Sequence, residues 1–493
     1  MYKWIEVKSS TDLSHLQDVI PWEYNPAQVI DKLSKGLSRA VTAILIEMPY
    51  SDKDYRSTYY RFYAKKGQVF RSDCVRLHFF DLTVSFDEST LALRCQDNRI
   101  SDHYFGYMVL RPTRIATIGR SIVSPDVRTG PARGSQWFTI TADHKVHLLG
   151  ERLTIQGFPS MDQHVDIAVC AHVACWSILR HYSERYVRYR EHLTYEITTM
   201  AQQFNPGGLV PSLGLGVFHA ERIFQEAGTY PLIVAKDNGS PEAFFQQLIA
   251  YVESGFPLFG VMSSRSHAIA IIGYERKIPV ASGSGSPRHE WKEIKSLVVV
   301  DDNYLPYLAI PTDVALKGPN DPYTAEDIDA FIVALPEGIY YPANAIAQVV
   351  PKLFSFKPSL LGGGKADLVV RYFITTGAAF RRFIRSCESG TDPQLLREIM
   401  NLPFAQFVWI VELADEAQWA SGQVALRAVI DATASLHETN PLWLVYSEEG
   451  AVVFDRADGS IDPHDPPRGF AMTATANHTF IRMDQNLRPI QPK

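Results

Sequence analysis

A cysteine and a histidine in this chain each lie where a predicted element begins. Cys170 lies in "DQHVDIAVCAHVACW", and a helix starts naturally here because Pro159 and possible N-cap aspartates precede it. A helix N-terminus favours the thiolate, which is the nucleophilic form of cysteine. Cys175 falls more than a turn inside the same helix and is expected to be a small buried apolar residue. The pattern therefore predicts Cys170 as a nucleophile.

A nucleophilic thiol needs a base and a group that orients the base. His267 begins the apolar segment "HAIAIIGYE", and the apolar segment "SLVVVDDN" ends in Asp301 and Asp302. If the two segments are neighbouring strands, a carboxylate lies beside the imidazole. We expect His267 to act as general base and Asp301 to orient it, with Asp302 as the alternative.

Each of these residues, seen alone, is an ordinary packing residue, and only their combination indicates catalysis. The histidines and cysteines of "HVDIAVCAHVACW" cannot converge on a tetrahedral zinc ion from within one helix. We therefore expect no metal, and the chemistry needs no cofactor. The Gly-rich segment "GGLVPSLGLG", residues 207–216, is either a loop that faces the substrate or a plain connection.

The elements that must position these residues indicate an α+β protein of several domains, because 493 residues exceed one ordinary domain. Residues 1–150 alternate apolar runs with turn residues and predict a mixed, β-rich domain. Residues 151–345 change to helices followed by strands and hold all the candidate site residues. Residues 346–493 predict an α/β region in which "FAQFVWIVELADEAQWASGQVALRAVIDATAS" forms two antiparallel strands.

Composition and charge narrow the partners and the location. The five cysteines, at 74, 95, 170, 175 and 387, are few and scattered, which favours free thiols in a reducing compartment. The formal charge of -6 is not concentrated in blocks, so no nucleic-acid partner is indicated. The N-terminus lacks an apolar signal core, and no run is long enough to span a membrane. We expect a cytoplasmic protein with no membrane partner.

Residues of about 155–310 resemble the papain-like cysteine peptidases, and more closely the bacterial C39-like peptidases. The resemblance is carried by "QHVDIAVCAHVA", "ESGFPLFGVM", "HAIAIIGYE" and "VVVDD", which occur in the family's order. It implies a papain-like core in which a helix that bears the cysteine packs on an antiparallel sheet. It also implies Cys170 as nucleophile, His267 as general base and then acid, Asp301 as orienter and Gln163 as oxyanion donor.

The resemblance implies a thiol-dependent hydrolase that cleaves a peptide, amide or isopeptide bond in a protein or peptide substrate. Two alternatives remain open. One is a transglutaminase-like or acyltransferase enzyme, which uses the same residue types in the same order. The other is a papain-like binding or scaffold module whose triad is inactive.

Overall fold

The computed structural model describes a mixed α+β protein with several antiparallel sheets. Among its described residues, no helix combines the length and apolar character needed to cross a membrane. The described residues are 1–66, 69–128, 130, 135–163, 168–200, 216–236, 240–277, 288–355, 368–387, 393–438, 440–454, 461–464 and 487–490.

The first third of the chain is mainly β-structure, as the sequence predicts. One predicted strand, "VRLHFFDLTVSF", is instead two strands in different sheets, because a turn at Asp81 separates them. The helices are α1 (Leu16–Val19), α2 (Pro26–Gly36) and α3 (Lys53–Arg61). The strands are β1 (Tyr2–Glu6), β2 (Ala43–Tyr50), β3 (Cys74–Phe80), β4 (Val84–Asp87), β5 (Ala92–Cys95), β6 (Tyr104–Leu110), β7 (Ile118–Val123), β8 (Ser135–Ile140), β9 (Ala142–Leu148) and β10 (Glu151–Ser160).

The middle of the chain begins with helices and continues with strands. Its predicted cysteine helix and histidine strand are both present. The helices are α4 (Cys170–Arg185), α5 (Thr194–Met200), α6 (Val217–Glu226) and α7 (Pro241–Glu253). The strands are β11 (Tyr230–Ala235), β12 (Leu258–Met262), β13 (His267–Lys277), β14 (Arg288–His289), β15 (Ile294–Val300), β16 (Leu308–Pro311) and β17 (Ala330–Leu335).

The last third contains the two predicted antiparallel strands, β19 and β20 below, and a helix and a strand that the sequence reading missed, α8 and β18. The helices are α8 (Ala343–Ser355), α9 (Gly377–Cys387), α10 (Pro393–Asn401) and α11 (Glu416–Ala420). The strands are β18 (Leu368–Thr376), β19 (Phe407–Asp415), β20 (Leu426–Asp431), β21 (Leu442–Ser447), β22 (Gly450–Phe454), β23 (Ile461–His464) and β24 (Leu487–Ile490).

These strands form three large sheets and one hairpin. The first sheet has the order β1-β2-β3-β6-β7-β10-β9, and the second has the order β11-β17-β12-β13-β15-β16. The third has the order β14-β18-β19-β20-β21-β22-β23, and β4 pairs only with β5. Among the described strands, every pair is antiparallel except β14 with β18. The second sheet carries His267 and positions the candidate site.

Sheet membership crosses residue 150, where the sequence predicts a domain boundary. β8 leaves the N-terminal region to pair with β13, and β24 from the C-terminal region pairs with β8. Conversely, β10 lies after the boundary but belongs to the first sheet. One continuous apolar core also contains residues from all three predicted regions, including Leu77, Trp176 and Trp409. The predicted boundaries thus remain predictions, and the three regions are packed as one body.

Gly273 explains why the histidine strand carries a glycine in "HAIAIIGYE". A Cβ at this position would lie 2.1 Å from the backbone oxygen of Phe138 in β8. No side chain can occupy that space, since real Cβ contacts of this kind do not occur below 3.0 Å. Glycine therefore permits β8 to pair with the far half of β13, while the near half remains beside the candidate site.

A buried chain of charges holds the third sheet against helix α7. Arg371 of β18 donates from Nε to Glu253 of α7 at 2.6 Å and from Nη1 to Glu412 of β19 at 3.0 Å. Glu412 also accepts from Arg427 of β20 at 3.1 Å. All four side chains are at most 3% exposed. Loss of one member would leave a buried charge without compensation, so this network fixes how the regions dock.

Candidate active site

Helix α4 places Cys170 at its first position, immediately before twelve buried residues, 171–182. Val169 is the N-cap residue, and its side chain makes no capping hydrogen bond. Cys170 is partly exposed, whereas Cys175 is fully buried and burial raises the pKa of its thiol well above the usual range. The prediction that Cys175 is a buried apolar residue is confirmed. Of the two thiols in this helix, only Cys170 lies at the N-terminus and reaches the surface.

The two strands that carry His267 and Asp301 are neighbours, as the sequence predicts. β13 and β15 pair with Ala270 opposite Val300, so the start of β13 lies beside the loop that follows β15. In that position His267 Nε2 lies 3.0 Å from Asp301 Oδ2. The carboxylate side chain is fully buried and the imidazole is 15% exposed. The structure therefore joins these two residues by a partly buried, charge-assisted hydrogen bond.

The Cys170 thiol also interacts with this imidazole. Because Asp301 occupies Nε2, the ring nitrogen left for the thiol is Nδ1. Burial alone would lower the pKa of His267, but the hydrogen bonds with Asp301 and Cys170 and the charges of Asp301 and Asp302 raise it to about 10. The imidazole is consequently protonated at neutral pH.

Asp301 and Asp302 differ in the hydrogen bonds that their carboxylate oxygens accept. Asp301 Oδ1 accepts from the backbone N–H of Asn303 at 2.8 Å, and Oδ2 accepts from the hydroxyl of Tyr323 as well as from His267. Burial opposes ionisation, but these hydrogen bonds and the charge of His267 hold the pKa of Asp301 below its usual value. Asp302 Oδ1 lies farther from the imidazole, at 3.7 Å. Burial and the charge of Asp301 raise the pKa of Asp302 to about 7. The geometry thus favours Asp301 as the partner of His267.

Lys32 is a site residue that the sequence reading missed. It lies on α2, and its Nζ donates to Asp162 Oδ1 at 2.6 Å and to the backbone oxygen of Asp302 at 3.0 Å. Its side chain is 12% exposed and that of Asp162 is 5% exposed. This buried ammonium ties the segment before α4 to the loop that carries both aspartates. No local pattern signals it, because 130 residues separate Lys32 from Asp162.

Other residues of the first sheet and of the helices next to it also contact the elements that carry the site. Asp54 of α3 accepts from Arg180 of α4 at 2.9 and 3.0 Å and from the indole of Trp176 at 3.2 Å. The hydroxyl of Tyr307, in the loop after β15, accepts from the backbone N–H of Phe158 at 2.8 Å. The first sheet and its helices thus fix both the cysteine helix and the aspartate loop.

Gln163, implied as an oxyanion donor, lies half-buried three residues after β10 ends. Its backbone oxygen accepts from Arg111 at 3.5 Å. Among the described residues, no hydrogen bond joins its side chain to Cys170 or His267, so the oxyanion role stays a prediction. Residues 164–167, which lead to the cysteine helix, are outside the described residues. So are residues 207–215 of the segment predicted to be a substrate loop or a connection.

The same side chains can be tested as a metal site. His267, Asp301 and Asp302 each offer a ligand atom, and these atoms lie within 4.8 Å of one another. However, both oxygens of Asp301 already accept hydrogen bonds, and His267 Nε2 already faces one of them. A metal would have to break this pairing. The donors here are two carboxylates and an imidazole whose pKa is raised to about 10, so a metal ion would have to displace a tightly held proton and would gain no thiolate ligand from this group.

The arrangement is a thiol, an imidazole and a carboxylate in sequence, with the thiol at a helix N-terminus. The free backbone N–H groups at such a terminus stabilise a negative charge that lies next to them. This set of groups can carry out nucleophilic attack, proton transfer and stabilisation of a developing oxyanion. No family model, curated protein or solved structure matches the chain.

Proposed function

We propose that this protein is a thiol-dependent hydrolase that cleaves an amide, peptide or isopeptide bond through Cys170, His267 and Asp301. The observation that carries the proposal is the contact series in which His267 binds the Cys170 thiol on one side and Asp301, at 3.0 Å, on the other. The surrounding order, a buried helix followed by an antiparallel sheet, supports a papain-like fold. A cytoplasmic location and a protein or peptide substrate are parts of the same proposal.

In the proposed reaction, Cys170 Sγ attacks the carbonyl carbon of the substrate as a thiolate. His267 gives its proton to the leaving amine as the carbon–nitrogen bond breaks, and a thioester remains on Cys170. Water then attacks the thioester while His267 takes its proton, and the acid product leaves as the thiolate is restored. Asp301 holds the imidazole in orientation and stabilises its charged form. The backbone N–H of Cys170 and the side chain of Gln163 are the proposed donors to the oxyanion.

The first test uses p-nitrophenyl acetate, an activated ester that reports acyl transfer without knowledge of the natural substrate. We expect a burst of p-nitrophenolate and an acetylated chain by intact-protein mass spectrometry, with the acetyl group mapped to Cys170. Cys170→Ala should abolish the burst. Cys175→Ala is the matched control on the same helix and should retain it, because Cys175 is buried and makes no contact with His267. A burst that persists in Cys170→Ala would contradict the proposal.

The same assay separates hydrolysis from acyl transfer. With methylamine present, a hydrolase releases acetate, whereas a transferase releases N-methylacetamide as the main product. We expect acetate to dominate. Dominant amide formation would replace the hydrolase with the acyltransferase alternative, and absence of any acyl-enzyme would leave the inactive binding module.

A further inference from the structure

A second cluster of cysteine, aspartate and histidine lies in the N-terminal region, away from the candidate active site. Cys95 is the last residue of β5, Asp97 lies in the turn that follows, and His103 ends the short helical turn before β6. Their Sγ, carboxylate oxygen and ring nitrogen all lie within 4.8 Å of one another. Cys95 Sγ lies 2.9 Å from Asp97 Oδ1, and His103 Nε2 lies 3.3 Å from Asp97 Oδ2.

These distances are close to those of a tetrahedral zinc site. Ligand nitrogen and oxygen atoms about 2.05 Å from zinc, at a tetrahedral angle, lie about 3.3 Å apart, and a sulfur ligand lies slightly farther from its neighbours. His103 and Asp97 already have this separation. The Cys95 sulfur lies 2.9 Å from the other carboxylate oxygen, Oδ1, whereas zinc about 2.3 Å from the sulfur sets a sulfur–oxygen separation of about 3.5 Å, so the thiol has to move away by more than about half an ångström.

Asp81 supplies an independent observation. Its Oδ2 lies 2.9 Å from His103 Nδ1, on the side of the ring opposite Asp97. A carboxylate on one ring nitrogen of histidine is the usual companion of a metal on the other, because it fixes the tautomer and the ring orientation. Asp81 therefore aims Nε2 of His103 into the cluster.

We propose that Cys95, Asp97 and His103 bind a zinc ion, with Asp81 as a positioning residue. Binding would displace the thiol proton of Cys95 and the proton on Nε2 of His103, both of which are released to solvent, so thiolate and carboxylate together balance the charge of Zn²⁺. Thiolate and imidazole donors favour zinc over magnesium or calcium. The side chain of Asp97 is 39% exposed, so water can complete the coordination as a fourth ligand.

The position of the cluster indicates what the ion does. β5 forms an isolated hairpin with β4, while His103 leads directly into β6 of the first sheet and Asp81 follows β3 of the same sheet. Zinc between Cys95 and His103 would fasten this hairpin to the edge where β3 ends and β6 begins. We therefore infer that the ion, held by three protein ligands and water, fastens the hairpin to the first sheet, separately from the thiol chemistry of Cys170.

The test uses the full chain, freed of metal with a chelator and then titrated with Co²⁺ or Zn²⁺. We expect about one zinc per chain to remain after desalting, and Co²⁺ to give the charge-transfer absorption of a cobalt–thiolate bond. Cys95→Ser should lose that absorption, and His103→Gln should lose metal retention. Asp81→Asn should weaken metal affinity about 10- to 100-fold.

Two control variants make the result specific. Asp102→Asn removes an exposed carboxylate next to His103 that is outside the cluster, and Cys170→Ser removes the other surface thiol among the described cysteines. Both should retain the metal. Circular dichroism of the metal-free variants checks that they fold. Absence of a cobalt–thiolate signal in the wild type, its persistence in Cys95→Ser, or its loss in Cys170→Ser would each overturn the proposal.

Discussion

The two clusters of cysteine, histidine and aspartate in this chain use the same residue types in different orders. At the candidate active site the imidazole of His267 lies between the thiol and the carboxylate. In the N-terminal cluster the carboxylate of Asp97 lies between the thiol and the imidazole of His103. The first order is the one that the proposed thiol chemistry needs, whereas the second is the one on which the zinc proposal rests.

The elements that carry the two thiols also differ. Cys170 begins a buried 16-residue helix, and Asp301 is held by Asn303 and Tyr323. Cys95 lies on a short hairpin with an exposed turn, where no long helix stabilises a thiolate. The comparison teaches that residue type alone does not define the chemistry of a thiol. The element that carries it and the group placed next to it do.

The largest expected effect shows whether Cys170 and Cys95 act independently, because one is measured by turnover and the other by zinc content. Cys170→Ser should reduce acyl-enzyme turnover by at least about 10³-fold, because loss of a nucleophile removes the function of the whole triad. It should leave the metal content unchanged. Turnover of p-nitrophenyl acetate and zinc analysis on the same preparation test both points. A loss of zinc in this variant would show that the two clusters do not act separately.

The next effect distinguishes the neighbouring aspartates. Asp301→Asn should lower kcat on the order of 10³- to 10⁴-fold, because an amide no longer fixes the tautomer and charge of His267. Asp302→Asn should cause a much smaller loss, since burial and Asp301 raise the pKa of Asp302 to about 7 and an amide changes its charge less. Steady-state kinetics near neutral pH make the comparison. A greater loss in Asp302→Asn would assign the orienting role to Asp302.

A third effect concerns the buried ion pair between the N-terminal region and the site. Lys32→Met should lower the free energy of unfolding by about 3 kcal/mol, because it leaves the carboxylate of Asp162 buried without its partner. Lys35→Met on the same helix removes an exposed pair with Asp31 and should cost less than about 0.5 kcal/mol. Urea unfolding measures both. Equal effects would mean that the Lys32 contact does not fix the site.

The last effect is a pH dependence of stability. The pKa of His267 is raised from 6.5 to about 10, so the folded state binds its proton more tightly than the unfolded state does. This contribution is complete below about pH 6.5 and is lost as the pH rises through about 10. The free energy of unfolding should therefore fall more steeply over this range in the wild type than in His267→Gln. If urea unfolding gives the same slope of free energy against pH for both proteins, the charged imidazole of His267 does not contribute to stability.

Much of the candidate site could be predicted from the sequence because its three central residues stand at the ends of strongly patterned elements. The apolar runs after His267 and before Asp301 indicate neighbouring strands, and Pro159 with the aspartates before Cys170 indicates where the helix begins. The structure brings these three side chains together. Their catalytic role remains the proposal.

The supports of the site could not be predicted, because their contacts depend on the tertiary fold. Lys32 and Tyr323 have no local signal, and the first of them lies 270 residues from the backbone oxygen it binds. β8 and β10 exchange sheets across residue 150, which follows from pairing register and not from local propensity. The division into three regions remains a prediction, and one apolar core contains residues of all three.

The most direct test of the central claim is the pH dependence of iodoacetamide alkylation, resolved by peptide mass spectrometry, in the wild type and in His267→Ala. We predict that Cys170 in the wild type already reacts rapidly at about pH 6, where an ordinary thiol is almost entirely protonated, and that His267→Ala removes this reactivity. If Cys170 reacts no faster than Cys95 of the metal-free chain, or reacts equally without His267, the thiol–imidazole pair is not functional and the hydrolase proposal fails.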